Sequence, residues 1–180
     1  METGHELLVH WLNDMLDAEQ QVLKMLEESA GDATRPDLQK AFSDRHAETQ
    51  RHSERIQDCF ELLKQRPQVT ECHGIRGLIA EKEVFLEMEP SEDLVDVFNV
   101  ASAVKAASYE ISAYESLFEM AREMKHKAVA QILKEILREE KSGLRKMQRF
   151  DRKIRPRRWV ADGQLWRLGK SEQAKRRRAA

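Results

Sequence analysis

Four glutamates stand where a helical sequence would ordinarily carry leucine. Glu19 falls between Met15 and Val22 on an apolar stripe, and Glu110 falls on the row Ala103, Ala107, Tyr114, Leu117 and Ala121. Glu140 follows Glu139 and has Ile136 and Leu144 one turn away on either side. Glu48 lies four residues before His52, which puts both on one face of a helix. An inward carboxylate is costly unless something neutralises it. A pair of iron or manganese ions is one answer: carboxylates bridge such ions, and His52 adds a nitrogen donor. Pairing with Arg45, Arg51 or Lys105, or escape to solvent at a helix edge, is the other. His52 by itself also suits a core histidine with one hydrogen-bond partner. Glu115 competes with Glu110, because it sits on the stripe Val104, Ser108, Ile111 and Phe118.

Long helices must position these side chains. Thr3 and Glu6 have capping-box spacing, and Leu8, Trp11 or Leu12, Met15, Glu19, Val22 and Leu26 recur at helical intervals up to a stop near Gly31. A second helix starts near Thr34, with Pro36 tolerated in its first turn. Its stripe is Leu38, Phe42, Arg45, Thr49, His52, Ile56, Cys59 and Leu63, and it ends before Pro67. Residues 64–90 form the longest connection, helical only from Gly74 to about Glu89 through Ile75, Leu78, Ile79 and Phe85 or Leu86. Ser91 is the expected N-cap of a third long helix reaching about Met124. A fourth runs from Lys127 to Phe150 on Val129, Ile132 or Leu133, Ile136, Glu140, Leu144 and Met147. Short links near Gly31 and Lys125 make neighbours antiparallel, while the long crossover lets the second and third long helices run parallel. The expected fold is therefore all-α: a ferritin-like four-helix bundle with one long crossover carrying a short extra helix.

Composition supports a helical chain: of 180 residues 35% are charged and only 6% aromatic, with seven Gly and four Pro. No apolar run approaches a membrane span, the start lacks signal-peptide character, and the two cysteines form no framework, so the expected location is the cytoplasm. Cys72-His73, an adjacent pair without partners, is read as ordinary loop. There is no phosphate loop, GxSxG elbow or cysteine zinc pattern. The net charge of −1 hides an asymmetry. From Arg149 onward there are 12 basic and three acidic residues, against 19 and 29 before it. Residues 1–150 are thus expected to form the bundle and 151–180 a basic tail. With Trp159 and Trp166, that tail suits weak, non-specific nucleic-acid binding, or docking on the acidic body.

Several segments together resemble the YciE/YciF-like ferritin-like proteins of bacteria. They are Asp17-Ala18-Glu19-Gln20-Gln21, Ala47-Glu48-Thr49 with Glu54-Arg55-Ile56, and Gly77-Leu78-Ile79-Ala80-Glu81. Tyr109-Glu110-Ile111, Ala113-Tyr114, Leu133-Lys134-Glu135 and Glu139-Glu140-Lys141 complete the set, which spans Glu6 to Met147. The resemblance implies a ferritin-like fold, homodimerisation, a di-metal site and a link to stress responses. Departures from it are specific. The family usually carries His at Arg45, Gln at His52, Glu-His at Ala107-Ser108 and Asp at Leu144. The metal site is therefore expected to be a pair, or a weakened, mononuclear or vestigial version of one.

Two functions follow as expectations. One is iron or manganese binding by Glu19, Glu48, His52, Glu110, Glu139 and Glu140, serving Fe(II) oxidation or peroxide handling. In it Glu48 and one of Glu139/Glu140 bridge the metals, Glu19 and Glu110 are terminal ligands, and Tyr109 or Tyr114 stands nearby. The other is a metal-free helical interaction protein acting through its dimer face or its tail.

Overall fold

The computed structural model describes residues 1–154, and all of its regular structure there is helical. In chain order the helices are α1 (Gly4–Asp32), α2 (Pro36–Leu63), α3 (His73–Leu86), α4 (Glu92–Glu123) and α5 (Lys127–Lys153). Four of them have 27 residues or more, and α3 has 14. Thr3 and Glu6 form the capping box, each side chain accepting from the other's backbone N–H. Pro36 occupies the first turn of α2, where its missing N–H costs nothing. Lys64 and Lys125 take left-handed backbone, with φ of 54° and 63°, and break the chain out of α2 and α4. Ser91 precedes α4, but its hydroxyl donates to Asp93 rather than capping the helix backbone. The last helix runs three residues past Phe150, and Ile154 beyond it packs into the core.

The crossover sets the topology. Gly4 lies against Met124 and the Thr34 backbone donates to Asp96 at 3.1 Å, so α1 and α4 run antiparallel. The α1–α2 and α4–α5 pairs are antiparallel through their short links, and α1 with α5, like α2 with α4, lies on a diagonal. Such a bundle with one long crossover has ferritin-like connectivity. Helix α3 lies over α1 and α4. Phe85 stacks on Phe98 with centroids 4.2 Å apart, and buried Lys82 donates to Asp32 at 3.0 Å. Cys72 lies in the loop as expected but is not without partners: it is the buried N-cap ahead of α3, its N–H donates to Asp17 at 2.7 Å and its Sγ sits 3.3 Å from the Tyr109 hydroxyl, while His73 is the first residue of the helix. Gly74 passes under the Tyr109 ring, where a Cβ would come within 2.7 Å of Cζ.

The apolar stripes face inward as the spacing predicts. Leu38, Phe42, Ile56, Cys59 and Leu63 of α2 are buried, and so are Arg45, Thr49 and His52 between them. The α4 row from Ala103 to Ala121 is buried throughout, Glu110 included. Leu12 rather than Trp11, and Leu133 rather than Ile132, take the inner positions. The core is therefore apolar at its ends and polar in the middle.

Candidate metal centre

Each of the four long helices sends charge into that middle layer. Glu19 from α1, His52 from α2, Glu110 from α4 and Glu140 from α5 are fully buried, and Arg45 of α2 is 4% exposed. Glu19, His52 and Glu140 each offer a ligand atom within 4.8 Å of the others. His52 Nδ1 stands 3.0 Å from Glu140 Oε1 and 3.7 Å from Glu19 Oε1. Its Nε2 faces Glu139 Oε2 at 3.1 Å, and Arg55 holds that same oxygen at 3.0 Å. Tyr114 donates its hydroxyl to Glu19 Oε1. The order outward from His52 thus has Glu139 fixing the ring by one nitrogen, leaving the other aimed at buried carboxylates. A carboxylate on the far nitrogen is how metal-binding histidines are commonly oriented.

Arg45 occupies the other side of Glu140. Its Nη2 donates to both Glu140 oxygens at 2.9 Å and its Nη1 to Glu48 Oε2 at 3.0 Å. Glu48 is only part buried and also accepts from Lys146 at 3.1 Å. A cleft of about 290 Å³ between α2 and α5, bordered by Lys40, Asp44, Lys146 and Phe150, reaches Arg45 and Glu48 from solvent. Space for the guanidinium comes from Gly143, one turn after Glu140: a Cβ there would lie 2.7 Å from Arg45 Cζ and closer still to Nη1. Alanine favours a helix over glycine by about 1 kcal/mol. Gly143→Ala should nevertheless lower stability, by about 1–3 kcal/mol, because the three hydrogen bonds of Arg45 prevent it from yielding. Urea melts of the two chains measure the sign.

What the arrangement leaves unpaired is specific. Among the described residues, buried side-chain atoms with no hydrogen-bond partner include Glu19 Oε2, His52 Nδ1 and both oxygens of Glu110. The remaining orphans are on Thr49, Ser53 and Asn99. Glu140 Oε1 stands 3.0 Å from His52 Nδ1 and partners it by charge, so the carboxyl oxygens are the more exacting orphans. A buried carboxyl without a partner is destabilising by about 1–3 kcal/mol or more, so an orphaned set at one place needs an account. Oxygen and imidazole nitrogen donors suit iron and manganese. The donor set therefore fits a divalent ion held by Glu19, His52 and Glu140, with Glu110 close enough to feel the charges of Glu140 and Glu19.

Without an ion the carboxyls respond to burial. Desolvation pushes the Glu19 carboxyl up to about 7 and that of Glu110 well above the ordinary range. Burial also works against ionised Glu140, yet Arg45 and His52 together hold its carboxyl below the ordinary range. For His52, burial opposes protonation, but Glu140, Glu19 and Glu139 outweigh it and raise the ring's pKa. The pH dependence of the metal-free chain follows. Between about 4.5 and 7 the folded chain keeps a proton on Glu19 that the unfolded chain releases, and His52 acts in the same direction as pH passes its raised value. Stability in chelator should thus fall as pH rises from 5 to 8, since the lowered Glu139 and Glu140 cost stability only on acidification below that window. A urea midpoint that rose across the range would contradict these burials.

A family model described as a domain of unknown function (DUF892) matches residues 3–158. The chain belongs to this family. Protein YciF of Escherichia coli K12 is 30% identical over 143 residues, covering 79% of this chain and 86% of YciF. The crystal structure of that E. coli protein, which is called a stress protein, superposes with a TM-score of 0.79 at 29% identity, over 84% of this chain and 96% of the other. YcfI of Rhodopseudomonas palustris does so with a TM-score of 0.79 at 33% identity, over 82% and 94%. The fold and the family resemblance drawn from the sequence motifs therefore agree with these relatives.

The structure separates the six sequence-derived donors into roles. Glu19, His52 and Glu140 converge, and Glu110 lies beside them with both oxygens unpaired. Glu139 points to the outer nitrogen of His52, and Glu48 sits beyond the guanidinium. Glu115 is a surface residue paired with Lys141 at 2.6 Å. Arg51 donates to the Ala47 carbonyl and Lys105 pairs with Glu81, so of the three proposed cationic partners only Arg45 enters the layer. Sequence reasoning missed Arg55 and Gly143. The available signal for the latter was a lone glycine inside a run of strong helix formers.

Proposed function

We propose that the chain is a stress-related bundle protein that holds a divalent metal ion, iron or manganese, between Glu19, His52, Glu140 and Glu110. The observation that carries this reading is the convergence of ligand atoms from buried Glu19, His52 and Glu140 within 4.8 Å of one another, with Glu19 Oε2 and both oxygens of Glu110 left unpaired. A bound iron or manganese ion supplies one-electron redox chemistry, suited to Fe(II) oxidation or to peroxide handling. The protein's own contribution is to orient and to exclude. Glu139 and Arg55 fix the His52 ring, Tyr114 fixes one oxygen of Glu19, and the apolar ends of the bundle keep bulk water from the layer. The stress link is drawn from the E. coli relative, which is called a stress protein.

A second reading has its own support: Arg45 and His52 already compensate much of the buried charge, as a metal-free interaction protein requires. Homodimerisation belongs with that reading. Of the tail expected at residues 151–180, only 151–154 are among the described residues, where α5 continues to Lys153; nucleic-acid binding and the docking of Trp159 and Trp166 fall on 155–180, outside the described residues. Among the described residues no helix is long and apolar enough to cross a membrane.

Anaerobic Mn(II) binding, read by the loss of free-ion electron paramagnetic resonance signal, separates the two. The metal reading expects saturable binding that His52→Ala and Glu19→Gln each weaken by tenfold or more, since each removes a donor. Binding no tighter than that of a surface-carboxylate control, or unaffected by both changes, overturns it.

A further inference from the structure

We infer that the Arg45 guanidinium takes the place of a second metal ion, so that the centre holds one divalent ion beside one fixed organic cation. This rests on the metal reading above and concerns how many ions that centre accepts.

Three observations converge on it. First, the guanidinium does what a bridging ion would do. It is buried, and it binds two carboxylates from different helices at once, Glu140 of α5 through both oxygens and Glu48 of α2. Second, the position is built rather than accidental. The backbone of α5 lacks a side chain at Gly143, where even one carbon would displace the guanidinium. Third, formal charge closes with one ion and not with two. Five carboxylates surround the layer: Glu19, Glu48, Glu110, Glu139 and Glu140. Arg45, Arg55 and Lys146 bind three of them, leaving an excess of two negative charges when His52 is neutral as a ligand. One divalent ion cancels that excess. A second would overcompensate it and leave the centre net positive, next to a guanidinium that cannot lose its proton.

The arrangement also divides the site. The orphaned donors lie on Glu19, His52 and Glu110, whereas Glu140 has both oxygens engaged by Arg45. Glu48, which reaches solvent through the cleft, is tied to Arg45 and Lys146 instead of facing the orphans. An ion on the Glu19 side thus finds open donors, and an ion on the Glu48 side meets a cation already in position.

The test is an anaerobic Mn(II) titration of the full chain and two variants, each folded in the presence of Mn(II) and checked for helicity by circular dichroism. The natural chain is expected to bind one equivalent. Arg45→Lys, which keeps a cation there, is also expected to bind one. Arg45→Met keeps the apolar stem and removes the charge, freeing Glu48 and Glu140, and is expected to bind two. Two equivalents on the natural chain overturn the inference, as does one equivalent on a helical Arg45→Met variant. Both of those results leave the metal reading intact. An Arg45→Met chain that stays unfolded at saturating Mn(II) also overturns it, because the ion then does not replace the guanidinium. No binding by the natural chain overturns the metal reading and this inference together.

Discussion

Arg45→Met is expected to be the most damaging single substitution in the metal-free chain. The guanidinium is the main compensation for buried, ionised Glu140, to which it donates through one nitrogen at 2.9 Å to each oxygen. Removing one partner of a buried pair leaves an uncompensated charge, at a cost of about 3–5 kcal/mol. For a chain of this size that corresponds to a melting point lower by about 6–20 °C. Loss of packing is a minor part of it, because methionine fills most of the volume of the arginine stem. Two companion measurements separate charge from shape. Arg45→Met with Glu140→Leu, which removes both partners, should recover most of the loss. Arg45→Lys should lose less than Arg45→Met, although an ammonium cannot reproduce a guanidinium bound to Glu140 and Glu48 together. A drop below about 1 kcal/mol for Arg45→Met in chelator would mean that the guanidinium does not neutralise a buried charge.

Glu110→Leu is expected to do the opposite. Glu110 is fully buried, neither oxygen has a hydrogen-bond partner, and its carboxyl is held in the neutral form by burial. Replacing an unsatisfied buried polar group with an apolar one of similar size should stabilise the metal-free chain by about 1–3 kcal/mol. The melting point in chelator should rise by about 2–12 °C. The gain belongs only to the metal-free state. With Mn(II) present the same substitution removes a carboxylate beside the ion and should weaken binding, so the stability advantage should shrink as metal is added. A residue that lowers the stability of its own fold while strengthening ligand binding is the signature of a site rather than of a core. If Glu110→Leu instead lowered the melting point of the metal-free chain, Glu110 would have to be a satisfied structural group.

Much of this was legible in the sequence. Alternating steps of three and four along Leu38, Phe42, Arg45, Thr49, His52 and Ile56 read out one helix face even though half its members are polar, because periodicity survives substitution. Pro36, Pro67 and Pro90 bounded the helices, since proline is tolerated only at helix starts and outside them. The length of the 64–90 segment then decided the topology, as no hairpin needs 27 residues. At α4 the reading stopped short: the serine ahead of it is in the N-cap position, yet its hydroxyl prefers Asp93 to the helix backbone. Such a choice between two nearby partners is settled by rotamers, which spacing does not encode.

The site was legible as a composition and not as an arrangement. Inward carboxylates on all four helices follow from the stripes, but which oxygens share a partner depends on helix rotation and on side-chain reach. Glu48 illustrates the limit. It lies three residues after Arg45, and that separation permits both a shared salt bridge and a shared metal. Only with the structure does Glu48 fall beyond the guanidinium, tied to Lys146 at 3.1 Å. Likewise, nothing in the adjacency of Glu139 and Glu140 says that one meets Nε2 and the other Nδ1 of the same histidine.

On the metal reading, the middle layer of the bundle holds one divalent ion where Glu19, His52 and Glu140 converge. Anomalous diffraction from crystals of the full chain grown with Mn(II), collected on both sides of the manganese absorption edge, tests it most directly. One interior peak per chain is expected, within bonding distance of Glu19, His52 and Glu140, with the Arg45 guanidinium still between Glu140 and Glu48. No interior peak, or two interior peaks with Arg45 displaced, would contradict the account.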